Sequence, residues 1–137
     1  MTPARTLSGL LGCLVLAISF GSPVEARTSQ RSVGRAAAYD GNWSVLIVTN
    51  SGPCDRGYRY GLSIRGGRVF YSGSLAVNVD GQVAPNGVVR VRVSAGSQGA
   101  TGVGRLSTAG YGDGSWRGEG SSGSCSGSWT AERRGSY

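Results

Sequence analysis

From Tyr39 onward, apolar and polar residues alternate in short runs separated by glycine, proline and asparagine, and no window carries helical spacing. The run Trp43 to Thr49 puts Trp43, Val45 and Ile47 on one face. The next, Tyr58 to Arg65, sets Tyr58, Tyr60, Leu62 and Ile64 against Arg59, Gly61, Ser63 and Arg65. Gly66-Gly67 then supplies two positions tolerant of positive φ, which predicts a two-residue hairpin. Pairing across it brings Ile64 opposite Val69 and Leu62 opposite Tyr71, so inward residues meet inward residues.

The tetrapeptide Ala84-Pro85-Asn86-Gly87 predicts a type I turn closed by a left-handed glycine. Counting outward from it pairs Val83 with Val89 and Asp80 with Arg92. A sixth run places Ala100, Gly102, Gly104 and Leu106 on one face, and a face of glycines does not fill space by itself. The last two runs, Gly114 to Glu119 and Cys125 to Glu132, each carry Gly-Ser-Trp. If Gly118 opposes Cys125, then Trp116 opposes Gly127 and Trp129 opposes Gly114, each indole covering the other strand's bare backbone. Extending the same reciprocity to Gly41 and Trp43 would put Cys125 near Val45, several residues short of Cys54, so that register is not adopted.

Eight such strands joined by tight turns predict an all-β domain, a small antiparallel up-and-down β-barrel. A two-sheet β-sandwich is the alternative, because strand runs alone do not prove closure. In a barrel, the end of the first strand and the start of the eighth share a rim, next to Cys54 and Cys125. A domain of about 95 residues is expected to fill its interior with its own side chains. The other possibility is a small ligand cavity lined by Tyr58, Tyr60 and Tyr71 together with Trp43, Trp116 and Trp129.

Ahead of the β domain (39–134) stand two further segments. Residues 1–26 contain Arg5, an apolar run from Leu7 to Phe20 and the ending Val24-Glu25-Ala26, which reads as a secretory signal peptide cleaved near Ala26. Cys13 lies in a faint lipoprotein-like box, but the apolar run continues beyond it. Residues 27–38, RTSQRSVGRAAA, lack apolar periodicity and read as a flexible leader. Export leaves Cys54 and Cys125 as a disulfide pair in an oxidising compartment, periplasmic or secreted. Closing a loop of 71 residues would stabilise the fold by about 4 kcal/mol on chain-entropy grounds.

The chain has 14 basic residues, all arginine, against seven carboxylates, and no histidine, for a net charge of +7. Without histidine or lysine, the serines lack an ordinary general base, so serine triads and Ser-Lys dyads are excluded. No acid pair stands out for glycosidase chemistry, and Asp40 and Asp113 precede glycines and read as turn residues. Neither a metal site nor a cofactor is expected, and the protein reads as a non-catalytic monomer.

On the derived faces Arg59, Arg65, Arg68, Arg90, Arg92, Arg105 and Arg117 all point outward. They are the candidate anion-binding residues, and the partners they suggest are an anionic polysaccharide, lipopolysaccharide or an envelope protein. The plain reading is a solvated exterior that discourages edge-to-edge association. Nucleic acid is disfavoured by export and by the lack of outward aromatics among the charges. Two further functions stay open: a small-ligand carrier barrel, and a periplasmic enzyme inhibitor.

The opening Tyr39-Asp40-Gly41-Asn42-Trp43-Ser44, a cysteine shortly after it, and the closing Cys125-x-Gly127-x-Trp129-Thr130-Ala131-Glu132-Arg133 resemble a group of short, exported, uncharacterised proteins from alphaproteobacteria over residues 39–135. The resemblance implies export and the Cys54–Cys125 pairing, and it carries no activity or site residues. The Gly-x-Trp start is also similar to that of lipocalin-like barrels, whose usual length and C-terminal helix this chain lacks.

Overall fold

The computed structural model describes residues 36–135. The expected signal peptide, Cys13 and residues 27–35 of the expected leader lie outside the described residues. After a short 3-10 turn at Ala37–Tyr39 come β1 (Gly41–Ser51), β2 (Gly57–Arg65), β3 (Arg68–Tyr71), β4 (Asn78–Val83), β5 (Val88–Ala95), β6 (Gln98–Leu106), β7 (Tyr111–Gly120) and β8 (Gly123–Arg134). Each pairs antiparallel with its neighbour in sequence, and β8 pairs with β1, which closes the barrel. Closure removes the sheet edges that a sandwich would have to protect.

The turn chemistry sets the registers as expected. Ile64 faces Val69 and Leu62 faces Tyr71 across Gly66-Gly67, whose φ angles of 57° and 78° suit residues without a Cβ. Val83 faces Val89 and Asp80 faces Arg92. The β7–β8 register pairs Gly118 with Cys125, Trp116 with Gly127 and Gly114 with Trp129.

The two indoles then reach in opposite directions across the closing seam. Trp129 passes over Gly114, where a Cβ would come within 2.6 Å of the ring, and on to Gly104 of β6. Its Nε1 donates to Ser115 O and Val103 O at 3.2 Å each. Trp116 passes over Gly127, where a Cβ would meet Nε1 at 2.9 Å. Its Nε1 donates to Val48 O of β1 at 3.0 Å. Together the pair ties β6, β7, β8 and β1 through side chains as well as ladder hydrogen bonds.

Trp43 takes no part in that reciprocity. The β1–β8 register sets Ile47 against Trp129 and Trp43 against Arg133, with an irregularity between Thr49 and Ser51. This carries the end of β1 past Ser126, and the loop beyond delivers Cys54 to Cys125, with a Cα separation of 6.1 Å in the disulfide.

Trp43 instead helps to seal the opposite end. Its Nε1 donates to Tyr39 O at 2.9 Å, so the 3-10 turn is drawn under the barrel with Ala36 and Tyr39 buried. Arg133, at an inward position of β8, lays its guanidinium over the Trp43 ring at 5.0 Å and donates to Ala38 O at 2.9 Å. Its Nε is buried without a hydrogen-bond partner among the described residues. The end of the sequence-defined leader, Ala36–Ala38, thus belongs to the floor.

Of the two carboxylates expected in turns, Asp40 does end the 3-10 turn, its N–H donating to Ala37 O at 3.0 Å. Its side chain adds a long-range role, accepting from Gly66 N–H at 2.9 Å and Gly67 N–H at 3.4 Å and so pinning the floor segment to a distant hairpin. Asp113 lies inside β7, exposed, between Arg105 and Thr130 of the adjoining strands.

Candidate ligand cavity

The buried core gathers at the sealed end, where Tyr39, Trp43, Ile64, Val69, Val83, Leu106 and Trp129 pack together. Above it the interior does not close. A cavity of about 280 Å³ runs from Trp43 and Trp129 up to a rim that includes Tyr58, Tyr60, Tyr71 and Gln98. This overturns the expectation of a filled interior. The cause is the wall facing the tyrosines: β6 and β7 lie halfway round the ring from β2 and β3. They line the cavity with Ala100, Gly102, Gly118 and Gly120. A ring on β2 cannot reach a bare backbone on the far side, so space remains between them.

The rim is an aromatic cluster. Tyr58 and Tyr60, two residues apart on one face, stack with centroids 6.0 Å apart and planes inclined by 28°. Tyr60 meets Tyr71 edge-on at 6.3 Å. Tyr58 donates its hydroxyl to Asp55 Oδ2 at 2.8 Å. Tyr71 Oη accepts from Leu75 N–H at 3.3 Å, which holds the 72–77 loop beside the mouth. Both Tyr58 and Tyr60 are pushed above the ordinary tyrosine pKa. For Tyr58 the main cause is the hydrogen bond to the Asp55 carboxylate, followed by lost hydration; for Tyr60 it is burial, followed by its neighbour Tyr71. They are hydroxyl donors, not anions, at neutral pH.

On one flank the barrel wall is thin. β3 pairs with β4 only through Arg68 with Gln82 and Val69 with Gly81, and the 72–77 segment continues the rim there. Leu75 is strongly exposed at its tip. At the opposite flank the disulfide joins the loop after β1 to β8, and Cys54 N–H also points at Cys125 Sγ, 3.1 Å away. The mouth is therefore fastened at the seam.

All seven candidate arginines are exposed, and they are distributed from β2 round to β7 instead of forming one patch. Arg59 donates to Ser44 Oγ at 3.1 Å and Arg105 to Asn86 O at 3.2 Å. Arg65 and Arg68 face each other beside the hairpin whose amides already hold the Asp40 carboxylate. Arg90 lies between Gln82 and Val103. Arg92 and Arg117 border one groove, together with Thr101 between them. Arg133 was not among the candidates, although its parity with Trp129 and Ala131 already marks it as inward.

Of the six aromatic residues considered for a cavity, all line it, but their tasks divide. Trp116 and Trp129 stitch the seam, Trp43 anchors the floor, and the three tyrosines form the rim. No described helix is long and apolar enough to cross a membrane. No known family profile matches the chain, and neither a curated protein nor a solved structure does so.

Proposed function

We propose that the protein is an exported, non-catalytic carrier whose barrel takes up a small, uncharged and largely apolar molecule. The observation that carries this reading is the open cavity of about 280 Å³, walled by valine, leucine, tyrosine, tryptophan and glycine. Apolar walls with a few polar groups at the mouth are the usual make-up of a small-molecule site. At about 30 Å³ for each non-hydrogen atom, the space suits a ligand of roughly ten such atoms. The walls are predominantly apolar, with Glu119 the one carboxylate among the lining residues, so a charged group taken into the apolar part would lose its hydration and charge is selected against there. The Tyr58 and Tyr60 hydroxyls and Gln98 would meet the ligand's polar end. Export to the periplasm or beyond fits the signal peptide and the disulfide, and absence of catalysis fits a chain without histidine or lysine.

Calorimetric titration with straight-chain alcohols of six to twelve carbons tests the reading. Affinity should rise about fourfold for each added methylene, as burial of apolar surface requires, and level off near nine carbons when the cavity is full. Ala100→Phe should remove binding while leaving the thermal transition in place. Absence of binding in the parent protein, or equal binding by Ala100→Phe, would discard the proposal.

A further inference from the structure

On the outer face, across a stretch of wall it shares with the cavity at Thr101 and Glu119, a groove of about 500 Å³ crosses β5 to β8 and reaches the end of β1. Its residues are Arg92 and Ser94 on β5, Thr101 on β6, Arg117 and Glu119 on β7, and Ser124 and Ser126 on β8, with Ser51 at the far edge. The strand registers align Arg92 with Thr101, Thr101 with Arg117, and Arg117 with Ser126. Two guanidinium groups therefore stand on either side of one threonine, their backbones two strand spacings or about 10 Å apart. Apart from Glu119, the side chains named between and beyond the arginines are serines and one threonine, small enough to leave a trough there.

We propose that this groove binds an acidic polysaccharide, with a uronate or sulfate group seated above Thr101 between Arg92 and Arg117, and the sugar hydroxyls bonded to the serines and to Glu119. Planar guanidinium groups suit carboxylate and sulfate oxygens through paired hydrogen bonds. Two carboxylates also face the site. Asp80 stands opposite Arg92 on the side away from Thr101, and Glu119 accepts from Ser124 Oγ at 3.3 Å. A carboxylate in the groove opposes a plain anion but accepts hydrogen bonds from sugar hydroxyls, which is the chemistry that separates a glycan from inorganic phosphate. No aromatic side chain lines the groove, so the base stacking that a nucleic acid strand would use is missing.

Binding of oligogalacturonate is measured at low salt by calorimetry, with dextran and inorganic sulfate as separate ligands. Arg92→Gln with Arg117→Gln should weaken oligogalacturonate binding by roughly tenfold or more. Arg65→Gln with Arg68→Gln, which removes the same charge elsewhere, should weaken it by less than about threefold, as general screening would. Glu119→Ala should also weaken it, although the net charge becomes more positive. Equal loss in the two arginine pairs would reduce the effect to diffuse attraction and overturn the proposal. So would tighter binding by Glu119→Ala, affinity for sulfate matching that for the oligosaccharide, or no binding by the parent protein. Dextran should not bind. Circular dichroism spectra matching the parent's would tie any loss to the groove and not to unfolding.

Discussion

The sealed half of the barrel and its open half are made from the same ingredients, large aromatic rings and strand glycines, with opposite results. At the seam, ring and glycine sit one or two strands apart, so Trp129 on β8 lies on Gly114 of β7 and reaches Gly104 of β6, and only 8% of its surface stays exposed. At the mouth, the tyrosines of β2 and β3 face the glycines of β6 and β7 across the full width of the barrel, and Tyr58 keeps 39% exposure. A glycine beneath a neighbouring ring is a packing device, whereas a glycine opposite a distant ring is a void. The distance round the ring, more than composition, decides which.

The largest expected effect lies in the sealed half. Trp129→Ala should cost about 3–5 kcal/mol, as large-to-small changes in cores do, and leave the Ser115 and Val103 carbonyls without the indole donor. Urea unfolding should show a lower midpoint for this variant than for Trp116→Ala, whose ring is half-buried. Equal costs would erase the contrast between the halves. Next, removing the disulfide by Cys54→Ala with Cys125→Ala should cost about 2–4 kcal/mol. Hydrogen exchange should then accelerate in residues 52–56 and at the start of β8, while the amides of the floor keep their protection. Uniform loss would mean that the barrel opens as one unit.

Smaller effects sharpen the picture. Asp40→Ala should cost about 1–2 kcal/mol by stranding the Gly66 and Gly67 amides, seen as a lower thermal midpoint with the cavity's affinity for alcohols retained. The mildest test is alkaline titration. Tyr58 and Tyr60 are raised above the ordinary value of 10.0, so the folded state favours their neutral forms. That contribution is fully present below pH 10 and fades as pH rises through the raised values. Ultraviolet difference absorbance should show two phenols ionising at higher pH than free tyrosine in the same buffer, and Tyr58→Phe with Tyr60→Phe should remove that late component; its persistence would contradict the rim geometry.

The sequence made the walls legible because period-2 alternation and turn chemistry are local. Gly66-Gly67 and Ala84–Gly87 each fix a register by themselves, and the repeated Gly-Ser-Trp pattern fixes a third. Closure was the preferred reading, through the strand count and the placement of Cys54 and Cys125, but the β1–β8 pairing that decides it against a sandwich joins the two ends of the domain and has no local signal. The floor was hidden, since a single 3-10 turn at Ala37–Tyr39 is too short to carry any periodicity. Asp40 reads correctly as a turn residue, but its carboxylate's role was hidden because its partners lie across a distant hairpin. The cavity stood only as the alternative to a filled interior although the glycine face of β6 was plain, since a void depends on which strands stand opposite each other. Arg133 has the parity of an inward residue, and its charge concealed that until Trp43 supplied a ring for it to cover.

An even number of up-and-down strands returns the chain to the level where it began, and here Asn42 pairs with Arg134 beside the floor. Both ends of the described chain therefore leave from the sealed side, with the mouth turned away from them. A cargo domain, a tag or a surface linker joined at either end would hang beneath the cup like a stem and leave its opening free. The barrel is thus oriented in advance for immobilisation, an advantage for use as a sensor or display scaffold.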